Sequence, residues 1–151
     1  MKNTESIYLS FRGYEIIKVS MEKNKVNETD TSNNIGFMYK IIPNKEGESY
    51  DKVNIIQGAK IEASHDFPYD LEVVLKGNFE FGNDSNNSSK ADLIKTNASA
   101  ILFPYLRATV SLLTSQLDYE KVILPVMNFS NILEGIDISD LYLNYTEFED
   151  F

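Results

Sequence analysis

The chain has 151 residues, a formal charge of −9, 42% apolar and 25% charged residues, no cysteine and one histidine. That length suits one domain able to bury a core without staples, and the missing Cys and His exclude disulfides, thiol catalysis, Cys-ligated zinc and two-histidine metal motifs. The acidic balance argues against phosphate-backbone binding, which needs a basic patch, and favours partners with basic surfaces.

No apolar run reaches the roughly 18 residues needed to span a bilayer. MKNTESIYLSFRGYE at the N-terminus lacks the apolar core of a signal peptide, so the expected location is cytoplasmic. Residues 1–5 read as a loose polar start. Ile7 to Met21 reads as a long strand, with Ile7, Leu9, Phe11, Ile17, Val19 and Met21 on one parity and Tyr14 and Ile16 on the other. Gly13 falls between, where a bulge can re-aim the strand. After a polar stretch at 22–34, Ile35 to Ile42 is a second strand, with Ile35, Phe37, Tyr39 and Ile41 on one face.

Val53 to Ala63 is the third strand, and Ser64-His65-Asp66 makes a turn. Leu71 to Phe81 is the fourth, with Val74 the one apolar residue on its charged face. The links between strands two, three and four are too short for crossover helices, so these strands are expected to be antiparallel. An apolar face opposite a charged one fits a sheet covered on one side.

Beyond the linker GNDSNNSSK at 82–90 the pattern turns helical. Ala91 to Ala98 reads as a short helix. A main helix follows, from Ala100 or Phe103 to Leu117, with Pro104 in its first turn, where a missing N–H costs little. Leu102, Leu106, Thr109, Leu113 and Leu117 form one stripe, and Tyr105, Val110 and Leu112 widen the apolar surface beyond what one sheet covers. The excess points to an oligomer, with Tyr105, Thr109, Val110 and Leu112 as interface candidates.

Tyr119 to Phe129, YEKVILPVMNF, is broken by Pro125 and cannot continue the helix. Connecting segments are normally polar; this one is not. Tyr119, Val122, Leu124, Val126, Met127 and Phe129 offer apolar, adaptable contact surface of the kind that holds many unfolded sequences. Two short helical pieces follow, Asn131 to Glu134 and Asp137 to about Asn144, with Asp137 or Ser139 as N-cap. The acidic end TEFEDF is expected to fray.

Ile101-Leu102-Phe103-Pro104-Tyr105 with Arg107, then Leu124-Pro125 and Asn128-Phe129, resembles the C-terminal half of the SecB family of bacterial protein-export chaperones. Glu72-Val73 with Gly77-Asn78-Phe79, and Val19-Ser20-Met21-Glu22, match further family patterns, so that the resemblance covers most of residues 7–134. It implies an α+β fold, a four-stranded antiparallel sheet with a long helix and a short C-terminal helix on one face. It also implies a homotetramer, a dimer of dimers joined through the long helices, that binds unfolded or precursor polypeptides without ATP, cofactor or metal. The client grooves would be walled here by Phe37, Tyr39 and Ile41, by Tyr119, Val122, Leu124, Pro125, Val126 and Met127, and by Phe129, Ile132 and Leu133. Leu124, Val126 and Met127 are expected to stay at least partly accessible; internal core packing is the alternative for the strip, Leu124 being the example.

Glu22 and Glu72 match acidic positions through which the family docks its SecA motor. The chain departs from the pattern at Ala100, usually Asn, at Lys18, where a third acid is common, and at Asp70, where the family has an apolar contact residue. The family's SecA-contacting tail is not recognisable in LYLNYTEFEDF. The Asn-, Lys- and Ile-rich composition is that of an AT-rich genome, such as a low-GC Gram-positive bacterium or its phage. A SecB-like chaperone dedicated to one partner, such as an antitoxin, is the alternative to general export. Ser64-His65-Asp66 has the residue types of a catalytic triad, but neighbours in one turn cannot form its relay. No enzymatic activity is expected.

Overall fold

The computed structural model describes residues 9–29, 34–43, 52–81 and 87–141. Four strands, β1 (Leu9–Lys23), β2 (Ile35–Ile42), β3 (Lys52–Ile61) and β4 (Tyr69–Phe81), form one antiparallel sheet in the order β1-β4-β3-β2. The sheet is antiparallel throughout, as expected from the short links for β2, β3 and β4, and β1 joins it antiparallel to β4. The β3–β4 turn is closed by Ser64, whose N–H donates to Phe67 O and whose Oγ accepts from Phe67 N–H, with the Phe67 ring buried beside it. Ser64, His65 and Asp66 thus build a turn.

One face of the sheet carries the main core. Leu71, Val73, Leu75 and Phe79 of β4 and Val53, Ile55, Ala59 and Ile61 of β3 are buried with Leu102, Leu106 and Val110 of the helix above. Val74, the apparent exception in β4, joins a second small cluster with Ile42 and Ile56 on the reverse face, flanked by Ile17 and Met38.

β1 departs from the simple alternation expected for it. Its pairing with β4 shifts between Phe11 and Tyr14 and again between Ile16 and Lys18. Gly13, at φ +112°, supplies the first irregularity, a backbone angle that L side chains rarely adopt. The two shifts bring Tyr14 and Ile16 opposite Gly77 and Leu75, on the helix side with Leu9, Phe11, Val19 and Met21, and leave Ile17 on the reverse side. Ile7 lies outside the described residues, as do the segments expected to be a loose start at 1–5 and a fraying acidic end, and residues 82–86 of the expected linker.

The helical part also differs from expectation. Helix α1 (Asn87–Leu93) runs through a π-turn (Ile94–Ala98) straight into α2 (Ser99–Thr114). Pro104 therefore sits inside a helix, not in a first turn. Pro104 and Ala100, one turn before it, are both exposed, so water can satisfy the carbonyl that proline leaves without a donor. α2 ends at Thr114, three residues before the expected Leu117, and closes through Ser115 N–H donating to Ser111 O at 3.0 Å.

Helix α3 (Phe129–Leu133) starts two residues earlier than expected because Asn128 caps it, its side chain accepting from Asn131 N–H at 3.3 Å. A 3-10 turn (Ile138–Leu141) ends the described chain, where Asp137 O accepts from Asp140 N–H. No helix among the described residues is long and apolar enough to cross a membrane.

Candidate functional site

The apolar strip after α2 is anchored by one buried hydroxyl. Thr114 Oγ1 donates to Val110 O at 2.9 Å and accepts from Val122 N–H at 2.8 Å. Ser111 Oγ donates to Val122 O at 3.4 Å. These bonds turn the chain back alongside α2, and from Val122 to Pro125 its side chains alternate between core and solvent. Val122 and Leu124 point into the core, Leu124 with no exposure at all. Ile123 is 52% and Val126 85% exposed, Pro125 is exposed, and Met127 is half-buried. Val126 has the parity of Val122 and Leu124 but leaves the alternation, so that an anchoring pair, Val122 and Leu124, holds the strip and Ile123, Pro125 and Val126 are presented.

Several residues expected to line a groove are therefore core residues of their own chain. Leu124, expected to stay accessible, is fully buried; Val122, Phe129, Leu133 and Ile41 are buried as well. For Val122 and Leu124 the reason is that a tethered strip must spend part of its apolar side chains on holding itself to the core; Phe129 and Leu133 are the buried side of α3, and Ile41 belongs to the core face of β2. Phe37, Ile132, Pro125 and Val126 are exposed, while Tyr119 is half-buried with its ring edge-on to Tyr69 at 6.0 Å. Phe103 links the strand to the strip. Its ring centroid is 6.2 Å from that of Phe37 and 5.3 Å from that of Phe129.

Tyr39 has a structural task. Its Oη donates to Ile94 O at 3.0 Å, at the start of the π-turn. Gln57 Nε2 donates to Ser99 O at 3.2 Å and Ser99 Oγ donates to Lys95 O at 2.9 Å, so three side chains hold the widened turn. Burial pushes the Tyr39 phenol well above its usual range, and the Ser99 hydroxyl opposes part of that shift. A raised folded pKa means that stability is intact below the unfolded value, about 10, and falls as pH climbs beyond it, by at most about 1.4 kcal/mol per pH unit. Tyr39→Phe is expected to cost about 0.5–1.5 kcal/mol at neutral pH, the worth of one lost hydrogen bond, since Ile94 O still accepts from Ser99 Oγ at 3.3 Å, and to remove this alkaline loss. Urea unfolding of both proteins at neutral pH and above about pH 10 measures both effects.

The opposite flank of α2 faces β1. The Tyr105 ring lies 4.7 Å from that of Tyr14 and 5.4 Å from that of Phe11, and Thr109 Oγ1 donates to Tyr105 O at 2.7 Å. Leu112 is 65% exposed, and Ile16, Val19 and Met21 continue the exposed apolar row along β1. Val110, expected at an interface, is instead wholly buried beneath its own helix.

On the reverse face, Glu72 pairs with Lys18 at 2.8 Å, and Glu22 stands exposed opposite Asp70. Asp70 accepts from Ala63 N–H at 2.8 Å and from the Asn24 amide, which ties the strand ends together. A depression of about 800 Å³ lies there, with Lys60, Glu62 and Glu72 on its wall. Among the described residues no cluster of His, Cys, Asp or Glu is arranged to hold a metal.

Three residues around the strip were not among the expected groove residues: the exposed Ile123, the buried Phe103, which lines the cleft beside it, and the exposed Arg107. The alternation in Val122-Ile123-Leu124 was the available signal for the first. The other two lie on the strip-side flank of α2, which needs the position of the strip to be recognised.

Residues 16–136 match the family model for SecB, the preprotein translocase subunit. The fold is similar to a SecB-like chaperone of Mycobacterium tuberculosis, solved in complex with a ChAD peptide from an antitoxin: the TM-score is 0.62 at 10% identity, over 79% of this chain and 90% of that one. A Streptococcus agalactiae protein of unknown function aligns over 80% of this chain and 99% of its own, with a TM-score of 0.47 at 14% identity. No curated protein matches the sequence.

Proposed function

The chain belongs to the SecB family, and from that premise we propose that it is an ATP-independent holdase of the cytoplasm, which binds unfolded or precursor polypeptides on the apolar surface beside its long helix. The observation that carries this reading is the division of the strip. Leu124 and Val122 are anchored, while Ile123 and Val126 stand in solvent at 52% and 85% exposure. Isolated exposed apolar residues are ordinary, but a row of them on a tethered extended segment is a contact surface. A protein that binds the unfolded state delays folding and aggregation by mass action. Light scattering from a thermally unfolded model protein, without nucleotide, should fall when this protein is added in several-fold excess. Unchanged scattering would sink the reading.

A second reading is a chaperone dedicated to one client, an antitoxin for instance. It is favoured by the Lys18–Glu72 pair, which neutralises one of the two acids expected to dock a translocase motor. It is favoured too by the similar fold solved with an antitoxin peptide. Equal binding to several unrelated unfolded proteins would decide for the general holdase, and binding to one alone for the dedicated chaperone.

The same proposal includes a homo-oligomer, a dimer of dimers. β1 is an edge strand whose helix-side row is apolar and exposed, and Tyr105, Thr109 and Leu112 continue that row onto α2. A second copy is the natural cover for such a surface. Leu112→Lys should lower the mass measured by light scattering after gel filtration while leaving the circular dichroism spectrum unchanged; an unchanged mass would remove this flank from the interface.

A further inference from the structure

The flank of the long helix that faces the strip carries two clefts in line. One, of about 480 Å³, lies between Phe103, Arg107 and Ala108 of α2 and Ile123, Val126 and Met127 of the strip. The other, of about 510 Å³, lies between Asp92 and Lys95 at the helix start and Phe129 to Gly135 around α3. The edge-to-face pair Phe103–Phe129 stands between them, Phe103 lining the first cleft and Phe129 the second. Strip and α3 run antiparallel to the helix, so the two clefts are halves of one groove. From Asp92 to Arg107 it is roughly 22 Å long at about 1.5 Å per helical residue. An extended chain covers that span with about seven residues.

The two ends carry opposite charge. Arg107 is exposed at the apolar end and makes no ion pair among the described residues. At the other end Lys95 is engaged, its Nζ donating to Ile136 O at 2.6 Å, and the exposed carboxylates Asp92 and Glu134 flank the cleft. The groove also lies on the opposite side of α2 from Tyr105 and Leu112, so self-association through that flank leaves it open.

We propose that this groove reads a charge register in its client: an extended segment with an acidic residue beside Arg107, apolar residues across Phe103 and Phe129, and a basic residue about seven positions away beside Asp92 and Glu134. The inference rests on the holdase reading and adds a client class to it.

The test is fluorescence anisotropy with three labelled peptides that share an apolar centre. One carries an acid at one end and a base at the other, one carries acids at both ends, and one carries bases at both. The mixed peptide should bind the wild-type protein about fivefold more tightly than either of the others, the order of magnitude for an exposed pair. Arg107→Glu should make the doubly basic peptide the tightest, and Arg107→Lys should keep the wild-type order. Equal affinities for the three peptides, or an order that Arg107→Glu does not change, would overturn the register. Scattering suppression measured on the same preparations separates the two claims: suppression without peptide discrimination ends the register alone, and no suppression ends the holdase reading with it.

Discussion

Gly77→Val is expected to unseat the long helix, at a cost of about 3 kcal/mol or more. Gly77 lies in the centre of β4, paired with Tyr14 on one side and Ile55 on the other. A Cβ built there would stand 2.9 Å from Phe79 Cε2 and 3.1 and 3.2 Å from the two Cδ atoms of Leu102. Leu102 is wholly buried and Phe79 nearly so. Neither can retreat without opening the contact between sheet and helix, so overpacking here costs at the upper end of the usual range of about 1–3 kcal/mol, or beyond it. Alanine, smaller by two methyl groups, should cost less but keep the sign. Urea unfolding followed by circular dichroism measures both, and a Gly77→Val midpoint equal to that of wild type would mean that α2 does not rest on this glycine. The Gly77-Asn78-Phe79 step was legible as a motif; its cause is the leaning of the Phe79 ring over a position with no side chain.

The rest of the fold was legible to the same depth, wherever one local pattern decided one local element. β2, from Ile35 to Ile42, has the bounds its alternation predicts. β1 does not keep its alternation, because two register shifts each move the side-chain parity, and only the partner strand reveals where they fall. Pro104 suggested a helix start because proline removes a hydrogen bond. Here the helix begins earlier, and its π-turn is held by Tyr39, Gln57 and Ser99, which are distant in sequence. The limits of the site reading have the same origin. Hydropathy marks Leu124 and Val126 as equals, and the sheet beneath the strip sends one inward and leaves the other in water.

Leu124→Ala and Val126→Asp should therefore have opposite signatures, although the residues are two positions apart. Leu124 has no exposed surface and belongs to the main core cluster. Removing its isobutyl group leaves a cavity between strip and sheet, with an expected loss of about 2–5 kcal/mol in unfolding free energy. Measured well below the melting transition, where the protein is still folded, client affinity should change little, because Leu124 presents nothing to a client. Val126 is the reverse. At 85% exposure it has almost no packing to lose, so Val126→Asp should leave stability within about 0.5 kcal/mol of wild type. Burying a valine side chain against a client is worth about 1.5–3 kcal/mol, and an aspartate in its place also carries a charge into the contact. Binding of an unfolded client should weaken by about tenfold or more, at roughly 1.4 kcal/mol per factor of ten. Unfolding midpoints and client titrations on both variants complete the comparison. A Val126→Asp protein that is stable and binds clients as wild type does would show that the presented row is surface without function, and a stable Leu124→Ala protein that has lost its clients would show that contact runs through the buried row after all.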